Sequence, residues 1–177
     1  NILTKSNSKY KGKIEFEGES LNRISKSKYL SEIMYVKQDF KPPYFKTVKA
    51  YIESLVNKSG KKKNSEKIIR DIVKIMDFKY IINAKMRDLS PGQLRWVDMA
   101  AKIASFPKVL FIDEIELHLN MVKIKNLCKI LYRKVNYDGI TIIATSQNKE
   151  FFDNLTSVSI NINHGRITSV RSKYKKR

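Results

Sequence analysis

Cysteine is almost missing from this 177-residue chain: Cys128 stands alone, which excludes an intrachain disulfide and any cysteine-based metal cluster. Histidine is nearly as scarce, and His118 and His164 are too few to favour a histidine metal site. No apolar run approaches the roughly 18 residues of a membrane-spanning helix. The first ten residues are polar and carry no apolar stretch of the kind a cleaved leader has, so none is expected. Acidic residues are also in short supply, 17 against 36 basic ones. What is present is enough apolar sequence, 42%, to bury a core. The length corresponds to one domain at roughly 150 residues each, or to a fragment of a larger one. A soluble globular protein of a reducing compartment is the class that these absences leave.

The net charge of +19 points by itself towards a polyanionic partner such as nucleic acid, a ribosome or an anionic membrane. Its make-up argues otherwise. Lys supplies 28 of the 36 basic residues, and Ile and Asn, which share its A/T-rich codons, are also abundant. A genome-wide codon bias could produce much of this charge. Arg, whose planar fork grips phosphate, contributes only eight. Direct nucleic-acid binding is therefore not favoured.

Two segments read as exposed and basic: residues 57–67, with Ser59-Gly60 and three consecutive lysines, and the tail Arg171 to Arg177. Short strands are expected at Lys13 to Glu17, ending at Gly18, and at Ile33 to Val36. Helical spacing marks Thr47 to Val56 and Ser65 to Phe78. Val109 to Ile112 is continuously apolar, as a strand buried on both faces would be. A helix with Ile124, Leu127, Leu131 and Val135 on one face follows, then a turn at Asp138-Gly139 and a second buried strand, Ile140 to Ala144. The chain should close with another helix and a hairpin turning at His164-Gly165. The layout is α/β, with a mainly helical stretch, Thr47 to Lys85, inserted.

Two motifs carry chemistry. Leu89-Ser90-Pro91-Gly92-Gln93 is a helix start: Ser90 as N-cap, Pro91 in the first turn, Gln93 completing a capping box. A helix N-terminus with a hydroxyl and a glycine is a ready phosphate site, although most capping boxes only begin helices. Val109-Leu110-Phe111-Ile112-Asp113-Glu114 places two carboxylates at the carboxyl end of a buried strand, where ligands bind in open α/β sheets. Asp113 could hold a hydrated Mg²⁺, and Glu114 could deprotonate a water.

Together these motifs resemble the ATP-binding cassette (ABC) ATPases. Leu89 to Gln93 is similar to the family signature LSGGQ with proline third, Val109 to Asp113 to Walker B, and Glu114 to the catalytic glutamate. Gln38, after Ile33 to Lys37, resembles the Q-loop glutamine, and Gly165-Arg166-Ile167 the closing hairpin. The resemblance implies a P-loop NTPase-like domain: a parallel sheet flanked by helices, an inserted helical lobe and a C-terminal β-hairpin. Residues 1–40 and 88–177 would form the α/β core and residues 41–87 the helical subdomain. It implies ATP and Mg²⁺ as cofactors. Gln38, Asp113, Glu114 and Ser146 would serve this chain's own nucleotide, with Gln38 and Asp113 on the metal. Ser90, Gly92 and Gln93 would serve the nucleotide of a second cassette, bound head to tail as a homo- or heterodimer.

The departures are as specific. No Gly-Lys-Ser/Thr occurs, so Walker A is missing, and with it the strand that precedes it. The family's layout puts Asn1-Ile2-Leu3 at or just past the end of Walker A. The resemblance implies an ATPase in the complete protein and no turnover by these 177 residues alone. The D-loop aspartate falls at Asn120, the switch histidine at Ser146, and the proline after the catalytic glutamate at Ile115. These changes point to a weakened or asymmetric catalytic site. His118, two residues before Asn120, and the basic charge would suit a ribosome-associated ABC-F protein. A lone surface histidine is the simpler reading, and Trp96, Tyr35 and Lys102 read as packing or structural residues. A degenerate regulatory cassette is a further alternative. The 26 residues from Gly12 to Gln38 and the 52 from Gln38 to Ser90 favour the nucleotide-binding subunit of a transporter. That reading implies a transmembrane partner and a place on the cytoplasmic face of the membrane.

Overall fold

The computed structural model describes residue 3, residues 10–60 and residues 62–173. Asn1, Ile2 and Lys61, and with residues 174–177 most of the basic tail, lie outside the described residues. The chain opens on a tight hairpin, β1 (Glu15–Phe16) and β2 (Glu19–Ser20). It is shorter than the strand expected from Lys13, because Glu17 and Gly18 take φ of 52° and 79° and reverse the chain. A short helix, α1 (Lys26–Glu32), is capped by Ser25, whose hydroxyl accepts from the Lys28 amide, and runs directly into β3 (Ile33–Val36).

Two amphipathic helices follow, α2 (Val48–Lys58) and α3 (Ser65–Ile75), burying the apolar positions that their spacing predicts. The chain enters and leaves this pair through a paired neck. Val48 N donates to Ala84 O and Lys49 N to Ile82 O, both at 3.0 Å, and Met86 N donates to Lys46 O at 2.9 Å. Then come α4 (Pro91–Ala104), β4 (Val109–Ile112), α5 (Met121–Asp138), β5 (Thr141–Ala144) and an antiparallel hairpin of β6 (Val158–Asn163) and β7 (Arg166–Ser172). Asn120 caps α5, and Gly139 ends it in the left-handed region, φ 68°, which glycine adopts without strain.

The strands β3, β4 and β5 form one parallel sheet in that order. Its register sets Val36, Ile112 and Ala144 in one row at the carboxyl edge, so the residues after each strand emerge side by side. The central strand is buried on both faces, as its unbroken apolar run requires. Leu110 and Ile112 join the large cluster shared with α2 to α5, while Phe111 packs with Leu21, Ile24, Tyr29 and Ile33 on the other side.

Three expectations are corrected. No helix forms between β5 and β6 among the described residues; a single 3₁₀ turn, Lys149–Phe151, takes its place. Asn148 before this turn and Asp153-Asn154 after it compete for backbone hydrogen bonds and favour turns over a continuing helix. Phe152 anchors it in the core instead. Nor is β5 buried throughout: Ile140 and Ile142 pack inward, but Thr141, Ile143 and Ala144 are exposed, because among the described residues only β4 flanks this strand. On α5, Ile124, Leu127 and Leu131 are buried while Val135 is exposed, since the helix has run past the core by its last turn.

A polar knot lies between α2 and α4. Asp98, wholly buried, accepts from Tyr51 Oη and from Lys102 Nζ, each at 2.6 Å. Burial, then the charge of Asp98, pushes the Tyr51 phenol far up. Burial pulls the Lys102 ammonium down, and Asp98 opposes it. Trp96 Nε1 donates to Met76 O at 2.7 Å and fastens α4 to the end of α3. Lys102 and Trp96 are thus structural.

Candidate functional site

The strand ends build the site. Asp113 continues β4, its amide donating to Val36 O at 3.0 Å. Its carboxylate accepts from Thr145 Oγ1 at 2.8 Å on Oδ1 and from Tyr35 Oη at 3.3 Å on Oδ2. Burial, then the Asp113 charge, raises the Tyr35 phenol, so it stays a proton donor at neutral pH. The Thr145 hydroxyl works in both directions, accepting from the Glu114 amide at 2.8 Å while donating to Asp113. It locks the end of β5 to the two acids after β4.

Glu114 sits in the left-handed region at φ 44°, a conformation that costs a non-glycine residue about 1–2 kcal/mol. The Thr145 bonds to its amide and to that of Ile115 hold the turn. The turn aims the Glu114 carboxylate between two amides. Gln38 Nε2 donates to Oε2 and Gln147 Nε2 to Oε1, both at 3.2 Å. Gln38 comes from the β3 side and Gln147 from the β5 side, so one carboxylate bridges all three strand ends.

Arg95, which the sequence reading passed over, supports this edge from below. It stands on the first turns of α4 and is only 4% exposed. Its guanidinium donates to Lys37 O at 2.6 Å, to Glu114 O at 2.9 Å and to Asp113 O. Burial lowers its pKa, while Asp98, Asp113, Glu114 and Glu116 raise it. A guanidinium remains protonated through such a shift. The helix that begins at Pro91 therefore holds the main chain of Asp113 and Glu114 directly.

Ser146 is turned away from Glu114. Its hydroxyl donates to Glu116 Oε1 at 3.1 Å, and the same oxygen accepts the amides of Gln147 at 2.7 Å and Asn148 at 3.2 Å. Glu116 thus organises the loop after β5. Sequence reasoning had no signal for Glu116 or Thr145, because only the parallel register brings their partners near.

The capping box on α4 is present. Ser90 Oγ accepts from Gln93 N at 3.3 Å, and Gln93 Oε1 accepts from Ser90 N at 3.0 Å. A Cβ on Gly92 would lie 2.9 Å from His118 O, so glycine permits close approach of the signature turn to the loop after Glu114. His118 itself is exposed at φ 60°. Asn120 Oδ1 accepts from Lys123 N at 2.9 Å, which makes it a helix cap. Gln38, Asp113 and Glu114 therefore come together, with Ser146 tied in through Glu116. No hydrogen bond among the described residues joins Ser90, Gly92, Gln93 or Asn120 to them.

The donor set suits a hard cation. Asp113 offers carboxylate oxygens that each accept only one hydrogen bond, and Gln38 donates its nitrogen to Glu114, leaving its carbonyl oxygen as an acceptor. Gln38 and Asp113 would hold Mg²⁺, and Glu114, set apart on its own turn, would face a water. No Gly-Lys-Ser/Thr sequence, the mark of a glycine-rich phosphate cradle, occurs in the 177 residues.

Known proteins resemble this chain over most of its length. The family model described as "ABC transporter" matches residues 1–116. The ATP-binding protein Uup of Buchnera aphidicola is 30% identical over 145 residues, 81% of this chain and 24% of that protein. The cell division ATP-binding protein FtsE of Streptococcus pneumoniae is 26% identical over 167 residues, 92% of this chain and 72% of that protein. The chain thus spans about a quarter of the length of Uup and nearly three-quarters of that of FtsE. The dimeric structure of MJ0796, a bacterial ABC transporter cassette, superposes with a TM-score of 0.80 at 18% identity, covering 94% of this chain and 75% of that one. At that identity the likeness establishes the fold, the P-loop NTPase cassette.

Proposed function

This chain belongs to the ABC transporter family, and from that premise we propose that it is the nucleotide-binding part of a transporter, hydrolysing ATP between two head-to-tail cassettes. The observation that carries the reading is the bridging of three parallel strand ends by Glu114, with Asp113 beside it and Gln38 in contact. When bound, Mg-ATP supplies the bond to be cleaved and a cation that offsets phosphate charge. Asp113 and the Gln38 carbonyl would hold the cation. Glu114 takes the proton from the attacking water, its carboxylate held between the Gln38 and Gln147 amides. Ser90, Gly92 and the amides at the start of α4 serve the second cassette's phosphate, with Gln93 holding the turn. Asn120 braces the loop between the two sites. Ser146 shapes the loop opposite Glu114.

The helical pair within residues 41–87 would pass nucleotide state to a transmembrane partner on the cytoplasmic face. Gln38 sits at the junction, touching Glu114 from the chain segment that leads into the pair. No described helix is long and apolar enough to cross a membrane, which fits a peripheral subunit. The test is Glu114→Gln in the complete protein with its partner. ATP binding should persist while kcat falls by roughly 10²-fold or more, the contribution of a general base. Unchanged steady-state ATPase overturns the reading.

A further inference from the structure

The loop after β5 offers two polar side chains, and they point in different directions. Ser146, which the family resemblance places at the switch position, spends its hydroxyl on Glu116. Gln147 has its amide nitrogen on the same Glu116 oxygen, at 2.7 Å, so its main chain is fixed. Its side chain leaves on the other side and donates to Glu114 Oε1 at 3.2 Å. Gln38 donates to Oε2 at the same distance.

We propose that Gln147, rather than Ser146, is the residue of this loop that positions Glu114 for the reaction, resting on the reading of Glu114 as the general base. The chemistry fits. A base must present one lone pair in a fixed direction, and a carboxylate on a single turn rotates freely unless both oxygens are held. Two amide donors, one per oxygen, fix that rotation and leave each oxygen a further lone pair for water. An amide is neutral at every pH, so this contact orients the carboxylate without adding a charge to the site. The anchor is equally specific, because Glu116 gathers three donors on one oxygen and so sets where the Gln147 side chain begins. Asparagine, one methylene shorter, would not span the gap.

The experiment uses the complete protein and measures steady-state ATPase over a range of ATP concentrations, with ATP binding and thermal unfolding measured in parallel. Gln147→Ala should lower kcat roughly tenfold to a hundredfold, the cost of misplacing a reacting group by about 1 Å, with KM for ATP within about twofold. Gln147→Glu keeps the length and volume of the side chain but loses the donor, so it should fall at least as far. Gln147→Asn should resemble alanine. A Gln147→Glu variant at the parental rate shows that only shape matters and overturns the assignment. Losses confined to KM and melting temperature overturn it as well, since they report folding of the loop. Glu114→Gln, run alongside, separates the two claims. If it abolishes turnover while the Gln147 variants match the parent, this assignment alone falls. If it leaves turnover intact, the base assignment falls and this one with it.

Discussion

Replacing Arg95 tests whether the signature helix truly supports the acid pair. Arg95→Ala removes three hydrogen bonds, to the carbonyls of Lys37, Asp113 and Glu114. Hydrogen bonds to charged groups contribute about 1.5–3 kcal/mol each, but not additively, because part of the loss recurs as the same unpaired carbonyls. At 4% exposure water cannot simply replace the guanidinium. The nearby carboxylates of Asp98, Asp113, Glu114 and Glu116 also lose a counter-charge. Breaking a buried ionic arrangement typically costs about 3–5 kcal/mol, and that is the expected destabilisation. It is a third or more of the stability of many domains. Urea unfolding should show a lower midpoint at an unchanged slope. Arg95→Met fills the same volume without donors and separates packing from hydrogen bonding; it should recover less than half of the loss. Arg95→Lys should be intermediate, since a single ammonium cannot match the planar fork. Activity should fall further than the unfolded fraction explains, because two of the three released carbonyls belong to Asp113 and Glu114. An alanine variant within about 1 kcal/mol of the parent, with normal ATPase, would refute the reasoning.

The remaining expectations are simpler. Gly92→Ala forces a methyl to 2.9 Å from His118 O, so backbone must move; a cost of about 1–3 kcal/mol is expected by thermal unfolding. Ser90→Ala removes the acceptor for Gln93 N and should cost about 1 kcal/mol in denaturant titration, with Gln93 still holding Ser90 N. Lys102→Met leaves Asp98 buried with Tyr51 as its one remaining side-chain partner, and should destabilise by about 3–5 kcal/mol. Combining it with Asp98→Asn should restore most of that; a double variant no better than the single one would show that the ion pair is not the source.

Local signals were the legible ones. The apolar run ending in Asp113-Glu114 announces a buried strand and its ligand edge, and the Ser90 to Gln93 spacing announces a capping box that the structure contains. The helices α2 and α3 follow from their apolar spacing. Long-range pairings left no local trace. Tyr35 and Asp113, Gln38 and Glu114, or Arg95 and Lys37 meet only through the register of the parallel sheet. Thr145 and Glu116 look like ordinary polar loop residues until β5 is set beside β4. The exposed face of β5 was equally hidden, since Ile140 to Ala144 reads the same whether one neighbour flanks it or two.

The paired neck at Lys46 to Lys49 and Ile82 to Met86 bears on the order of folding. Parallel pairing of β3 with β4 joins residues far apart in the chain, and such contacts form slowly because a long loop must close first. The helical excursion between them needs no sheet to close. Its helices are local, and three main-chain hydrogen bonds seal its ends. Closing a loop of about 35 residues costs on the order of 3 kcal/mol in chain entropy, which the packing of α2 on α3 can meet early. Once sealed, the excursion counts as a short link between Lys46 and Met86, and the distance that the β3–β4 pairing must still span along the chain is cut by about half.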